Sequence, residues 1–288
     1  MRLGPERSSN IEDRRGGFGG IPVIGGGIGA VVIALLVMLF RGTPGDVSSQ
    51  VQQPRPGATA TAEGPNGGPA AGPQDPDVDF VSAVLASTET AWQDIFRTEV
   101  GREYADPKLV LFTDVTQSSC GIAQSATGPF YCPLDHKVYL DLGFFRELRD
   151  RFQAPGDFAE AYVIAHEVGH HVQYLLGIQD QVQSAREQSG RRGSNALSVR
   201  TELQADCFAG VWANHANQMR HILEQGDVEE GLNAASAIGD DRLQRESRGY
   251  VTPDSFTHGS SAQRVRWFKQ GLQGGRIADC DTFNTPNL

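Results

Sequence analysis

The hydrophobic pattern changes character three times along the chain. Residues 21–40 (IPVIGGGIGAVVIALLVMLF) carry no charge, and about twenty uncharged residues are what a helix needs to cross a bilayer. A cleaved signal peptide and a buried core helix are the competing readings. Arg41, Gly42, Thr43 and Pro44 follow the run in place of a small-residue cleavage site, and the run exceeds an ordinary core helix. The expectation is a single transmembrane helix, in which the glycines at 25, 26, 27 and 29 are tolerable. Residues 41–76 are rich in Pro, Gly, Ala, Thr and Gln with almost nothing large to bury, the pattern of a disordered tether.

Residues 77–288 carry the periodicities of a folded domain. Across 78–100, Val81, Val84, Leu85, Trp92, Ile95 and Phe96 recur at helical spacing. Residues 108–113 (KLVLFT) and 137–142 (KVYLDL) read as short strands bounded by turn-rich segments. A short helix is expected around 144–152 and a long one over 157–176, after the break at Pro155 and Gly156. Further helices are expected over 194–215, 227–244 and 261–271. The predicted fold class is α+β, helix-rich with a small sheet, preceded by the transmembrane helix.

Charge narrows the functions. A net charge of −10 with acidic residues spread through the C-terminal part leaves no concentrated basic face, so nucleic acid is not an expected partner. Arg2, Arg7, Arg14 and Arg15 precede the apolar run, and only Arg41 and Arg55 follow it closely. By the positive-inside rule this makes residues 1–20 a cytoplasmic tail and places the domain outside the cytoplasm, anchored in the cell membrane. Cys120, Cys132, Cys207 and Cys280 could oxidise there. Four cysteines allow three pairings; Cys120 and Cys132 flank a loop between two strands, and Cys280 is the better partner for Cys207 than a metal.

The chemistry concentrates in the helix at 157–176. It contains His166-Glu167-Val168-Gly169-His170, in which residues four apart share a helix face and can present two imidazoles to one cation beside a glutamate general base. Two histidines on a solvated face would be the bland alternative, but the apolar flanks AYVIA and VQYLL argue for burial, where ionisable groups need a partner. Nitrogen donors with a carboxylate favour Zn2+ over magnesium or calcium. The next helix offers Glu202-Leu203-Gln204-Ala205-Asp206, with Glu202 as the third metal ligand and Asp206 as acceptor for a ligand histidine's second N–H. His171 turns away from the His166/His170 line, and His136, His215 and His221 lack ligand spacing.

Together these two motifs resemble the gluzincin branch of zinc peptidases. The segment Thr257-His258-Gly259-Ser260-Ser261-Ala262-Gln263-Arg264 looks like the Thr-His-Pro-x-x-x-x-Arg segment of membrane-associated peptidases related to the prenyl-protein endopeptidases, with Gly259 in place of Pro. HEVGHHVQ, ELQADCFAG and THGSSAQR as a set most resemble the bacterial putative neutral zinc metallopeptidases. The resemblance implies a zincin-like domain, bound zinc, a peptide or protein substrate, and His258 or Arg264 at the oxyanion. It also suggests Val138 to Asp141 as an edge strand for an extended peptide, although an interior strand reads equally well. The rival from another class is a zinc-stabilised, membrane-tethered scaffold without activity; such a protein would have no use for Glu167, which binds no metal.

Overall fold

The computed structural model describes residues 1–15, 75–125 and 128–288. The long helices begin and end where backbone chemistry directs. Helix α1 (Pro76–Ile95) starts with Asp75 accepting from the Asp77 N–H and proline in the first turn, which satisfies an orphan donor and presets φ. Its buried face, Val81, Val84, Leu85, Trp92 and Ile95, is the one expected from the periodicity.

Strands β1 (Ile11–Asp13), β2 (Lys108–Phe112), β5 (Phe130–Cys132) and β6 (Lys137–Asp141) form a sheet in the order β1-β2-β6-β5. β1, β2 and β6 are parallel, whereas β5 runs antiparallel to β6 with Tyr131 opposite Val138. A hairpin of β3 (Val115–Ser118) and β4 (Gly121–Gln124) lies between β2 and β5 in sequence, and the Cys120–Cys132 disulfide ties it to the sheet. β6 is therefore interior, not the edge suggested for 138–141, and among the described residues β1 and β5 are the sheet's edge strands.

Helices α2 (Gly143–Asp150), α3 (Asp157–Leu175), α4 (Ile178–Glu187), α5 (Arg191–Arg220), α6 (Asp227–Ala237), α7 (Asp240–Arg248) and α8 (Ser261–Gly274) follow. The helix expected over 227–244 is two, because a side chain at Gly239 would meet the Ser261 backbone nitrogen at 2.4 Å. α5 and α8 touch backbone to backbone: a Cβ on Gly271 would come within 1.9 Å of the Cys207 carbonyl oxygen, and one on Gly210 within 2.2 Å of that of Phe268. The Cys207–Cys280 disulfide closes the same corner. The core is apolar and helical, with Trp92, Phe158, Tyr162, Phe208, Trp212 and Phe268 at its centre.

Two expectations need correction. Among the described residues no helix is long and apolar enough to cross a membrane, and residues 21–40 lie outside the described residues, as does the tether except for its last two positions. What the structure supports is the helix-rich α+β domain without the transmembrane helix. Nor are residues 1–15 a separate tail, since they form one unit with the domain. β1 pairs with β2 in register, Glu12 opposite Val110. The arginines read as a topology signal are engaged on the domain: Arg2 with Glu224 (2.7 Å), Arg7 with Asp79 (2.7 Å), Arg14 with Glu12 (2.8 Å) and Arg15 with Asp75 (2.7 Å).

Candidate metal centre

α3 is buried along most of its length, His166 and Glu167 included. His166 and His170 stand one turn apart, their rings 4.9 Å between centroids and nearly perpendicular. Gly169, between them, lets α5 approach: a Cβ there would lie 3.0 Å from the Ala205 carbonyl oxygen and 3.2 Å from its Cα. That approach brings Glu202 to the histidines. Its Oε2 is 3.3 Å from His166 Nε2 and its Oε1 is 3.5 Å from His170 Nε2. A tetrahedron with metal–donor bonds of about 2.0–2.1 Å has edges of about 3.4 Å, so the two spacings between Glu202 and the imidazoles match those of a zinc site, and all three donors lie within 4.8 Å of one another. The donor set, two imidazoles and one carboxylate, has the same chemistry.

The atoms behind the donors fix their orientation. His166 Nδ1 lies 2.8 Å from Asp206 Oδ1, and His170 Nδ1 lies 2.9 Å from Gln173 Oε1. The Gln173 amide donates to the Thr201 carbonyl (2.7 Å) and to Gln204 Oε1 (3.1 Å), so its oxygen is the acceptor facing His170. Both rings therefore carry hydrogen on Nδ1 and turn Nε2 toward Glu202, the arrangement a metal ligand requires. Gln173 has no counterpart in the sequence expectations; its position three residues after His170, on the same helix face, was the available signal.

Asp206 is fully buried and receives two donations from Arg264, Nε at 2.9 Å and Nη2 at 2.8 Å, together with the Tyr162 hydroxyl. Burial pushes its carboxyl up, but Arg264 and His166 outweigh that and hold it below the usual range. Glu202 behaves alike: burial raises it, and His170 and His166 bring it far lower. His166 shows the reciprocal effect. Burial disfavours its charge, yet Asp206 and Glu202 lift its pKa to about 10. A field that draws a proton this strongly onto an imidazole also draws a cation.

Glu167, Glu202 and His258 line one cleft of about 1080 Å³ with Phe130 and Tyr131 of the edge strand. Burial raises the Glu167 carboxyl against the pull of His166 and His170, as suits a base that must hold a proton in passing. His258 is half exposed (52 %), with Nδ1 3.3 Å from Asp240 Oδ1. Asp240 Oδ2 accepts from the backbone N–H groups of Thr257 (2.7 Å), His258 (2.6 Å) and Gly259 (3.0 Å), which clamps the loop. Gly259 has φ 88°, a value closed to proline, so this chain's departure from Thr-His-Pro is built into the loop. The hydrogen bond to Asp240 raises the His258 pKa against burial, with Glu202 adding to it.

Arg264 does not take the oxyanion position suggested for it. It is 2 % exposed and paired with Asp206, so it acts on His166 through that carboxylate. Ser260 caps α8 in a capping box with Gln263, and Arg264, four residues on, is buried. His171 is buried and neutral, its pKa lowered to about 4 by burial; Nε2 donates to the Ala105 carbonyl (2.6 Å) and Nδ1 accepts from the Tyr131 hydroxyl (3.0 Å), which ties α3 to β5. His215 donates to the Gly275 carbonyl (2.7 Å), and His136 lies against the Tyr174 ring at 4.3 Å. His221 ends α5 in a left-handed conformation. A second group of ligand-type side chains, Asp157, Asp227 and Glu230, lies at the opening of α3 and α6. Asp157 and Asp227 face the Met1 α-ammonium at 2.7 and 3.5 Å.

Comparison with known proteins gives a family and no assigned activity. The family model described as putative neutral zinc metallopeptidase matches residues 2–283. The uncharacterized protein YpfJ of Escherichia coli K12 is 48% identical over 290 aligned residues, covering 97% of this chain and 97% of its own length. The uncharacterized protein Rv2575 of Mycobacterium tuberculosis H37Rv is 45% identical over 195 residues, 64% of this chain and 65% of that protein. No solved structure matches.

Proposed function

This chain belongs to the putative neutral zinc metallopeptidase family, and from that membership we propose that it hydrolyses peptide bonds, with His166, His170 and Glu202 holding zinc and Glu167 as the general base. The observation that carries the reading is the donor triangle, with Glu202 oxygens 3.3 and 3.5 Å from the two Nε2 atoms. Zinc, when bound there, supplies Lewis-acid polarisation of a carbonyl and makes a water more acidic.

The chain's own groups do the rest. Asp206 and Gln173 keep the imidazoles in the tautomer that offers Nε2, and Arg264 keeps Asp206 ionised inside the core. Glu167 takes the water's proton and returns it to the departing amine nitrogen. His258, whose pKa the hydrogen bond to Asp240 raises, lines the cleft as a donor for the negative charge that develops on the carbonyl oxygen. β5, an edge strand among the described residues, offers an extended peptide main-chain hydrogen bonds with little demand on sequence.

The test is peptide cleavage by the zinc-loaded chain against Glu167→Gln, with metal content measured in both. An amide cannot accept the proton, so the variant should keep its zinc and lose about 10² to 10⁴ in kcat. Equal turnover would remove Glu167 from the mechanism, and no turnover of any peptide by the zinc-loaded chain would remove the peptidase reading.

A further inference from the structure

Three arginines line the cleft: Arg151, Arg186 and Arg264. Arg151 has Glu147 at 3.5 Å and Arg264 has Asp206 at 2.8 Å. Arg186, near the end of α4, has no carboxylate partner among the described residues, in a chain of net charge −10. Its one hydrogen bond runs from Nη2 to the Ser198 hydroxyl at 2.8 Å, and that hydroxyl in turn donates to the Ser194 carbonyl. Its Nε is buried with no partner at all. A guanidinium presents five N–H donors in a rigid fork and does not lose its charge, so Arg186 is anchored through Nη2 while its other donors have no hydrogen-bond partner among the described residues.

Its location gives the ligand's place. Ser198 precedes Glu202 by one turn of α5, about 6 Å along the helix axis. An extended peptide advances about 3.3–3.6 Å per residue, so a group reaching Arg186 would belong to a residue within about two positions of the bond being cut. The donor fork matches a carboxylate, which accepts two parallel N–H bonds, and a buried donor without a partner favours ligands that supply one.

On the peptidase reading given above, we propose that Arg186 is a specificity residue that selects peptides carrying a carboxylate within about two residues of the scissile bond. The carboxylate is either an Asp or Glu side chain or the free end of the peptide.

The test reads binding, which needs no turnover. The full-length, zinc-loaded chain carrying Glu167→Gln is titrated with fluorescent octapeptides of Gln and Ala in which Glu replaces one residue at a time. All have amidated ends, and one further peptide has a free C-terminus. One Glu position or the free end should tighten Kd about tenfold or more, the strength of a charge-assisted pair, and which of them does so identifies the source. Adding Arg186→Gln should bring that ratio to about one, Arg186→Lys should keep part of it, and Arg186→Glu should reverse it, so that the favoured carboxylate peptide binds more weakly than the uncharged one. Affinities equal across the set, or a preference that survives all three substitutions, would overturn the proposal. Cleavage by the unsubstituted chain separates the two claims. Turnover without carboxylate dependence would sink the role of Arg186 and leave the peptidase, whereas carboxylate-dependent binding without turnover would do the reverse.

Discussion

Among the described residues two groups of three ligand-type side chains each have their donor atoms within 4.8 Å of one another: His166, His170 and Glu202, and Asp157, Asp227 and Glu230. By proximity alone they are equal. They differ in what stands behind the donors. In the first, a buried aspartate and a buried glutamine hold the two rings, and a buried arginine holds the aspartate. In the second, Asp157 is exposed, the Met1 ammonium faces the group, and Glu230 Oε2 accepts from the Phe158 backbone N–H at 3.2 Å. A metal centre is recognised by the atoms that orient its ligands, because those atoms fix tautomer, direction and charge before any cation arrives.

The comparison breaks hardest at Asp206. Replacing it with Asn leaves Arg264 as a buried charge without its partner, which should cost about 3–5 kcal/mol of stability in a denaturant titration. Zinc affinity should also fall about 10- to 100-fold in a chelator competition. An Asp206→Asn protein with unchanged midpoint and unchanged affinity would show that the second layer does nothing. His258→Ala comes next: the metal and the melting temperature should stay, and kcat should fall about 10². Loss of zinc in that variant would make His258 a ligand. At the small end, Asp227→Asn with Glu230→Gln should leave zinc stoichiometry and affinity unchanged, since the account assigns no metal there; a lost equivalent of zinc would contradict it.

Much of the centre could be read from sequence because it is local. Residues four apart share a helix face whatever the fold, so His166 with His170, and Glu202 with Asp206, followed from spacing. That Glu202 meets the histidines depends on the approach of α5 at Gly169, which spacing only suggests. The direction of Arg264 was not legible, for a helix position does not say which neighbour covers it. The edge strand escaped because FYC at 130–132 is too short to show alternation. Residues 1–15 were harder still. A three-residue parallel strand with a partner about a hundred positions away leaves no periodic trace, and arginines that pair with this domain look the same in sequence as arginines that face lipid.

Whether one zinc is held by His166, His170 and Glu202 is decided by titrating the metal-free full-length chain with zinc, followed by X-ray absorption at the zinc edge. The account predicts one equivalent bound, two imidazole nitrogens in the spectrum at about 2.0–2.1 Å with oxygen donors completing the shell, and loss of most of that binding in Glu202→Ala. Undiminished zinc in Glu202→Ala, or a spectrum with sulfur or without two imidazoles, would contradict it.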